Sequence, residues 1–233
     1  MASPALGDLE SFFASATAVT PLDLCPEVEL SIAGTLPSLW RDQEKWFGIS
    51  GLPPPYWGMA WPGGLALARY VLDNPALIRG RTVLDVGSGC GLCAVAAALS
   101  GGAVTAADTD PMACVAIAAN ARLNRVEVSV SDIDPVGREA QWDVVLAADL
   151  WYERFMAGRI TAWLRQIADA GTDVYLGDLG RAYFPRRGVI ERGCYRIEGA
   201  GDTERASACE ARAWHMPSTP AGDTGSAGAV VYA

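Results

Sequence analysis

From residue 63 onward, short apolar runs alternate with amphipathic segments. In the first segment, apolar residues from Leu65 to Leu72 recur at the spacing of one helical face, and Pro75 ends the pattern. Continuous apolar runs are typical of strands that are buried on both faces. The pattern predicts strands over residues 82–86, 104–107, 127–130, 143–147, 174–177, 195–197 and 210–215. It predicts helices over residues 63–72, 92–99, 112–123 and 155–168.

This alternation of strands and helices predicts an α/β fold. We expect a doubly wound, mostly parallel seven-strand sheet of the Rossmann-like type, closed by an antiparallel pair at one edge. The sheet falls within a domain of residues 63–217. Residues 1–62 contain scattered prolines and are expected to form an irregular N-terminal lid or appendage. Residues 218–233, rich in Gly, Ser, Thr and Ala, are expected to be a flexible tail.

Composition and charge narrow the class of function. The chain has 233 residues, of which 51% are apolar, enough for a sizeable core. Its 18 basic and 27 acidic residues give a net charge of −9, which disfavours nucleic-acid binding and suits a basic partner. No lysine or arginine precedes Arg41, and no apolar run is long enough to span a bilayer. We therefore expect no membrane segment, and a cytoplasmic protein.

A glycine-rich turn follows the first predicted strand of the sheet. Gly87, Gly89 and Gly91 stand where the chain must turn sharply into a helix and let a ligand approach the backbone. Two interpretations compete, a dinucleotide site of the G-x-G-x-x-G type and the G-x-G-x-G loop of a methyltransferase. Leu92 replaces the third dinucleotide glycine, and the carboxylate of Asp85 would repel a pyrophosphate. Both observations favour S-adenosylmethionine, which carries an ammonium and a sulfonium.

Carboxylates also follow the next predicted strands. Asp108 stands 21 residues after the first glycine, close to the separation of about 20 expected of a ribose-hydroxyl acceptor. Asp132 follows the third strand and is expected to accept a hydrogen bond from the adenine amino group. Asp110 precedes Pro111 and a helix, so helix capping is its favoured role. Carboxylates at three successive strand ends, counting Asp85, strengthen the prediction of a cofactor site.

The cysteines and the histidine suggest other chemistries, and each is disfavoured. Cys90 and Cys93 have the C-x-x-C spacing of a redox pair, but no second pair completes a zinc site, and the glycine loop already explains their surroundings. We expect both to pack in and behind the loop. His215 is the only histidine of the chain, which excludes a multi-histidine metal centre. No metal is therefore expected, and His215 is assigned a structural role.

The fourth strand of the sheet ends in the segment Asp149-Leu150-Trp151-Tyr152. This segment puts a carboxylate and two aromatic rings at the ligand-facing end of the sheet, where a second substrate would meet the cofactor. It lacks the prolines of the Asn/Asp-Pro-Pro-Tyr/Phe motif found in enzymes that methylate planar amino groups. The segment is a D-x-x-Y motif instead.

With this motif the chain resembles the seven-strand protein methyltransferases, and within them the electron-transfer-flavoprotein beta-subunit lysine methyltransferases. The resemblance runs from about residue 20 to residue 215. The glycine loop and the D-x-x-Y motif identify only the broad class, whereas the segments 61–64 and 72–75 point to the subgroup. The matching segments are 26–30, 55–57, 61–64, 72–75, 87–91, 108–111, 149–152, 177–178 and 180–181.

The resemblance implies a class I methyltransferase that moves a methyl group from S-adenosylmethionine to protein lysine, with the flavoprotein beta subunit as partner. It implies that Trp61 packs against the cofactor, although a core position is an equal alternative. Asp149 is expected to orient the substrate ammonium or to take its proton. Trp151 and Tyr152 are expected to offer aromatic faces, worth about 0.5–2 kcal/mol to a cation. The chain departs from the family at Asp132, where animal relatives carry an amide, and beyond residue 217.

Three other functions stay open at this point. The same fold could methylate a ribosomal-protein lysine or a small amine. A catalytically inactive binding module is disfavoured because Asp85, Asp108 and Asp149 are all present. A dehydrogenase is disfavoured by Leu92 and, again, by Asp85.

Overall fold

The computed structural model describes residues 4–139, 141–198 and 208–219. The predicted flexible tail, 218–233, lies outside the described residues except for its first two positions.

The N-terminal segment is regular, which corrects the prediction of an irregular one. Pro21 ends a strand, and Pro37 lies in the first turn of a helix capped by Thr35. The prolines misled the sequence-based prediction because both positions tolerate a residue without an N–H group. The elements are helix α1 (Leu6–Ala16), strands β1 (Ala18–Pro21) and β2 (Glu29–Ile32), which pair antiparallel, and helix α2 (Leu36–Phe47).

The rest of the chain builds a seven-stranded sheet and the helices that cover it. Its strands are β3 (Thr82–Val86), β4 (Ala103–Ala107), β5 (Val128–Ser131), β6 (Val144–Ala148), β7 (Asp173–Asp178), β8 (Ile190–Ile197) and β9 (Cys209–Met216). Its helices are α3 (Pro62–Asp73), α4 (Leu92–Leu99), α5 (Pro111–Leu123) and α6 (Arg154–Asp169).

The strand order is β5-β4-β3-β6-β7-β9-β8. The first five strands are parallel, and β9 runs antiparallel to both of its neighbours. The predicted doubly wound, mostly parallel sheet with an antiparallel edge pair is therefore confirmed. The largest error in a boundary is at β8, which begins at Ile190 rather than at residue 195. Because β8 is an edge strand with mostly exposed side chains, its first half has no apolar run to detect.

Helices cover both faces of the sheet. Val83 and Leu146 point into the apolar cluster under α3 and α4, whereas Leu84 and Val145 point into the cluster under α6. Neighbouring residues on a strand face opposite sides, so a run of consecutive apolar residues fits a strand covered on both.

The N-terminal segment packs on α5. Phe12 and Trp57 form an apolar cluster with Met112 of that helix. The side-chain oxygen of Asn120, on the same helix, accepts the Ser31 N–H at 2.8 Å. These contacts bring the residues just before α3 to the side of the sheet where β3 and β4 end.

The strand order places the site. β3 lies between β4 and β6, so the chain leaves the sheet in opposite directions on its two sides and opens a crevice at the carboxyl ends of these strands. The glycine loop and the D-x-x-Y motif follow β3 and β6 directly. They therefore meet at one edge of the sheet.

Candidate active site

A cavity of about 900 Å³ opens at the carboxyl ends of β3, β4 and β6. This volume lies within the range of ligand pockets, about 300–1,000 Å³. Six of the ten predicted site residues line it: Trp61, Gly87, Gly89, Asp108, Asp149 and Tyr152. The other four, Asp85, Gly91, Asp132 and Trp151, are not among its lining residues.

The loop after β3 turns through glycines with a left-handed backbone. The φ angle is 63° at Gly87 and 56° at Gly89, a region that glycine enters at little cost. A Cβ at Gly87 would lie 2.5 Å from Leu150, whereas one at Gly89 would meet only the Trp57 Cα, at 4.0 Å. Glycine at position 89 therefore leaves open space beside the backbone for a ligand.

Gly91 serves the packing of a helix instead. It is the N-cap of α4 with a φ angle of 84°, and a Cβ there would lie 3.1 Å from the Ile117 Cα of α5. The motif spacing could not separate a glycine that faces a ligand from one that faces a helix. The structure therefore gives Gly91 a packing role, and its predicted contact with the cofactor stays a prediction.

Asp108 follows β4 and is held by backbone amides. Its Oδ2 accepts the Gly89 N–H at 2.9 Å, and its Oδ1 accepts the Asp110 N–H at 3.0 Å. Burial raises the pKa of this carboxyl. Each oxygen keeps a second lone pair, so Asp108 can accept further hydrogen bonds from hydroxyl groups in the cavity. Asp110 accepts the Met112 N–H at 2.8 Å and caps α5, as the sequence predicts.

Asp85 lies beneath the glycine loop rather than in the cavity. It is buried, and its Oδ2 accepts the hydroxyl of Ser88 at 2.5 Å. Burial raises the pKa of Asp85 to about 7. The structure thus places this carboxylate behind the loop rather than among the lining residues, and its predicted contact with a cationic ligand stays a prediction.

Asp132 is exposed and is not among the lining residues, so its predicted hydrogen bond to the adenine amino group stays a prediction. Ile133 and Asp134 line the cavity, and Asp134 forms an ion pair with Arg159 of α6. The D-x-D spacing was the signal for Asp134. Sequence reasoning did not consider Asp134, because the path of the chain after β5 is not visible in the pattern.

Asp149 follows β6 and points into the cavity from a buried position. Its Oδ2 accepts the Gly64 N–H at 2.7 Å, and its backbone has a left-handed φ angle of 57°. The N-terminus of α3 comes this close because Gly63 and Gly177 touch: a Cβ at Gly177 would lie 2.1 Å from the Gly63 oxygen. This close contact gives a steric reason for the glycine at position 63 of the tryptophan-proline-glycine-glycine segment.

Arg181 is the partner of Asp149 that sequence reasoning did not assign. Its Nη1 lies 2.5 Å from Asp149 Oδ1 and 2.7 Å from Oδ2 of the fully buried Asp178. Burial raises the pKa of Asp149, and the Arg181 guanidinium opposes that rise. The segment 180–181 could have pointed to Arg181, because it is one of the segments that resemble the family, but the resemblance gives this residue no role.

Three aromatic rings stand together on the cavity wall. Tyr56 contacts Trp61 with ring centroids 5.6 Å apart and Tyr152 at 5.3 Å. The Trp61 indole N–H donates to the Tyr56 carbonyl at 2.8 Å. Tyr56 and Tyr152 are 39% and 48% exposed, so their faces are accessible at the cavity mouth. Tyr56 is a site residue that the sequence interpretation missed, although its segment had been matched to the family.

Trp151 does not share this wall. It is fully buried, packs edge-on against Phe184 at 4.9 Å and donates its indole N–H to Thr161 at 2.9 Å. The prediction that it offers an aromatic face to the substrate is wrong, since the turn after β6 directs Tyr152 outward and Trp151 into the core under α6.

The cysteines and the histidine lie outside this chemistry. Cys90 and Cys93 are buried free thiols, and burial raises the pKa of Cys90 to about 12. His215 stacks on Tyr175 at 4.9 Å within the sheet. Among the residues that the structure describes, no cluster of three or more potential metal ligands occurs. Across residues 4–139, 141–198 and 208–219, each helix is too short or too polar to cross a bilayer.

Comparison with known proteins identifies the class of enzyme. A family model described as ribosomal protein L11 methyltransferase (PrmA) matches residues 67–151. The electron transfer flavoprotein beta subunit lysine methyltransferase of Danio rerio is 38% identical over 196 residues, covering 82% of this chain and 74% of that protein. The Homo sapiens relative is 37% identical over 183 residues, covering 76% and 68%. The chain belongs to the family of the electron transfer flavoprotein beta subunit lysine methyltransferases. The predicted resemblance is thereby confirmed, and the dehydrogenase alternative falls.

A solved structure agrees with this fold. The T. thermophilus 16S rRNA N2 G1207 methyltransferase, in complex with AdoMet and guanosine, matches with a TM-score of 0.52 and 13% identity. The match covers 87% of this chain and 50% of that one. At this identity the likeness concerns the fold alone, and it supports the class I methyltransferase architecture.

The donor set of the cavity fits S-adenosylmethionine, the cofactor that the sequence predicts for this methyltransferase. The open backbone at Gly89 and the free lone pairs of Asp108 suit a ribose, and Trp61 supplies an apolar face. The carboxylates of Asp108, Asp134 and Asp149 line the same cavity and suit a cationic ligand.

Proposed function

We propose that this methyltransferase transfers methyl groups from S-adenosylmethionine to lysine side chains of the electron transfer flavoprotein beta subunit. Relatives named for that activity are 37–38% identical over most of the chain. The observation that carries the proposal is the sharing of one cavity by a carboxylate, an accessible aromatic wall and the glycine loop. A cofactor cradle alone would fit any methyltransferase, whereas Asp149 and Tyr152 together suit a cationic acceptor.

The cofactor supplies an electrophilic methyl group on a sulfonium, and the residues proposed to hold it are Trp61, Gly87, Gly89 and Asp108. Because the methyl group is already activated, the protein needs no nucleophile of its own. Its contribution is alignment of the acceptor and exclusion of water.

Asp149 is proposed to orient the acceptor amine. A lysine arrives as an ammonium, with a pKa of about 10.4, and the Asp149 carboxylate accepts its hydrogen bonds at the base of the cavity. Tyr56 and Tyr152 present π faces to the same cation on its way in. Both contacts favour the ammonium, so the amine gives its proton to the Asp149 carboxylate or to water before it attacks the methyl group.

Charge is proposed to steer the partner. The net charge of −9 favours encounter with a basic surface, and such steering raises the association rate more than the affinity. Screening acts over a Debye length of about 8–10 Å near physiological ionic strength, so methylation at low acceptor concentration should slow as salt rises. The cytoplasmic location also remains a proposal.

Mass spectrometry of the purified flavoprotein, incubated with enzyme and S-adenosylmethionine, tests the assignment. We expect increments of about 14 Da on lysine residues of the beta subunit. Ribosomal protein L11 serves as the competing acceptor, because the matching family model carries its name. Methylation of L11 with an unmodified flavoprotein would replace the acceptor, and a methyl group on histidine, arginine or a chain terminus would refute lysine as the acceptor residue.

A further inference from the structure

Asp149, Arg181 and Asp178 form a network at the acceptor end of the cavity. One guanidinium nitrogen of Arg181 contacts both carboxylates, at 2.5 and 2.7 Å. Asp178 also accepts the backbone N–H groups of Gly180 and Arg181 at 2.6 and 2.7 Å, which fixes the loop after β7. Arg181 itself lines the cavity. It therefore belongs to the site and is held in place from below.

We propose that Arg181 is a positioning residue that keeps Asp149 ionised and aims its free lone pairs at the acceptor ammonium. The inference rests on the proposed lysine methylation and assigns a specific task to a residue outside the D-x-x-Y motif.

The geometry of Asp149 supports this role. Its Oδ1 accepts Arg181 and its Oδ2 accepts the Gly64 N–H, so both oxygens are fixed. An ionised carboxylate offers about four lone-pair sites, so each oxygen keeps one for another donor. The left-handed backbone at Asp149 is strained for a residue with a side chain, and such strain is typical of functional positions.

The charges around Asp149 indicate that Arg181 is the group that keeps the Asp149 carboxyl ionised. Among the described residues, the titratable groups that interact electrostatically with it are Arg181, the carboxylate of Asp178 and the thiols of Cys90, Cys93 and Cys209. Burial and Asp178 both raise the pKa of Asp149, whereas Arg181 and the Gly64 amide lower it. Removal of the guanidinium therefore leaves burial and like charge opposed by one amide.

The network also explains a preference for a cation. Two carboxylates and one guanidinium leave one uncompensated negative charge in a buried place, which is unfavourable until a cation arrives. The ammonium of lysine supplies that cation, whereas a neutral acceptor does not.

The test compares kcat/KM against pH for wild type, Arg181→Met and Arg181→Lys, with flavoprotein as acceptor. For Arg181→Met we expect the acidic limb to move about one unit upward, which costs about tenfold in rate below the limb and much less above it. Arg181→Lys should restore part of the profile because it keeps the cation. Arg196→Met, whose exposed partner is Glu198, is the control and should match wild type.

Two results would overturn the inference. One is a loss that is uniform with pH and equal in Arg181→Met and Arg181→Lys, which would show a structural role. The other is loss of S-adenosylhomocysteine binding in calorimetry, which would place Arg181 in the cofactor site. If Arg181→Met does not fold, Arg181→Gln removes the charge and keeps a hydrogen-bond donor.

A second measurement separates this inference from the proposed function. Carbon-13 NMR of carboxyl-labelled aspartate, with Asp149 identified by Asp149→Asn, follows the titration without any acceptor. We expect Asp149 to titrate at higher pH in Arg181→Gln than in wild type. An unchanged titration refutes the role of Arg181, whereas an unmodified flavoprotein with wild-type enzyme refutes the acceptor assignment alone.

Discussion

Asp108 and Asp149 each directly follow a parallel strand, and both line the same cavity. Burial raises the pKa of both carboxyl groups, yet their hydrogen-bond partners differ. Asp108 is held by the N–H groups of Gly89 and Asp110. Asp149 is held by one N–H group and by the guanidinium of Arg181.

The difference separates two tasks. Amide donors orient a carboxylate without adding a full charge, which suits hydrogen bonds to neutral hydroxyl groups of a cofactor. A guanidinium favours the ionised form more strongly, which suits an acceptor that arrives as a cation. The cofactor side of the cavity is thus built from backbone and glycine, and the acceptor side from an ion-pair network and aromatic rings.

Asp149→Asn breaks the acceptor side and should have the largest effect. The amide keeps the shape but loses the negative charge, and we expect kcat to fall about 1,000-fold, the scale found when one positioned electrostatic contact to the reacting group is removed. The affinity for S-adenosylhomocysteine should stay within about twofold. Steady-state kinetics and calorimetry check the two halves, and an equal loss of cofactor binding would contradict the division of tasks.

Asp85→Asn sharpens the comparison with a carboxylate that is buried outside the cavity lining. The folded pKa of about 7 exceeds the ordinary value of about 3.9, so the folded state binds the extra proton between these values. The contribution of Asp85 to the free energy of unfolding therefore falls as pH rises from about 4 to about 7. An asparagine does not titrate, so urea unfolding should favour the variant progressively, by roughly 3 to 4 kcal/mol across this window. A pH-independent difference would show that Asp85 ionises normally.

Asp108→Asn breaks the cofactor side. Hydrogen bonds to a charged group contribute about 1.5–3 kcal/mol, so we expect the Kd for S-adenosylhomocysteine to rise about 30-fold. At saturating cofactor, kcat should stay near the wild-type value, the opposite of Asp149→Asn. Unchanged binding would mean that Asp108 only shapes the loop through Gly89.

Tyr152→Leu sharpens the acceptor side with the smallest effect. Loss of the π face should raise the KM for the protein acceptor about fivefold, as expected of a cation–π contact worth about 1 kcal/mol. Tyr152→Phe keeps the face and is the matched control, expected to resemble wild type. If Tyr152→Phe raises the KM as much as Tyr152→Leu does, the hydroxyl and not the ring carries the effect.

Much of the fold was predictable because its signals are local. Consecutive apolar residues bounded by turns marked β3, β6 and β7 to within one residue at each end. The first half of β8 and the N-terminal helices escaped because their apolar faces are narrow or interrupted by prolines that the structure tolerates.

The candidate site was predictable in outline and not in its orientation. The sequence named the strand ends and the polar residues that follow them, and six of those residues line the cavity. It did not show that Asp134 lines the cavity while Asp132 is exposed, because this depends on how the chain turns after β5. It gave Trp151 and Tyr152 the same role in the cavity, although the side chains of consecutive residues leave the backbone in different directions.

By itself, the sequence determined the order of strands and helices from residue 62 onward, the glycine loop and the D-x-x-Y motif, since periodicity and turn chemistry act over a few residues. The tertiary structure decided which carboxylates face the cavity and which are buried behind it. It also decided that Arg181 reaches Asp149 from 32 positions away. Such a pairing depends on β6 and β7 lying side by side in the sheet, and that adjacency comes from long-range packing that no local pattern records.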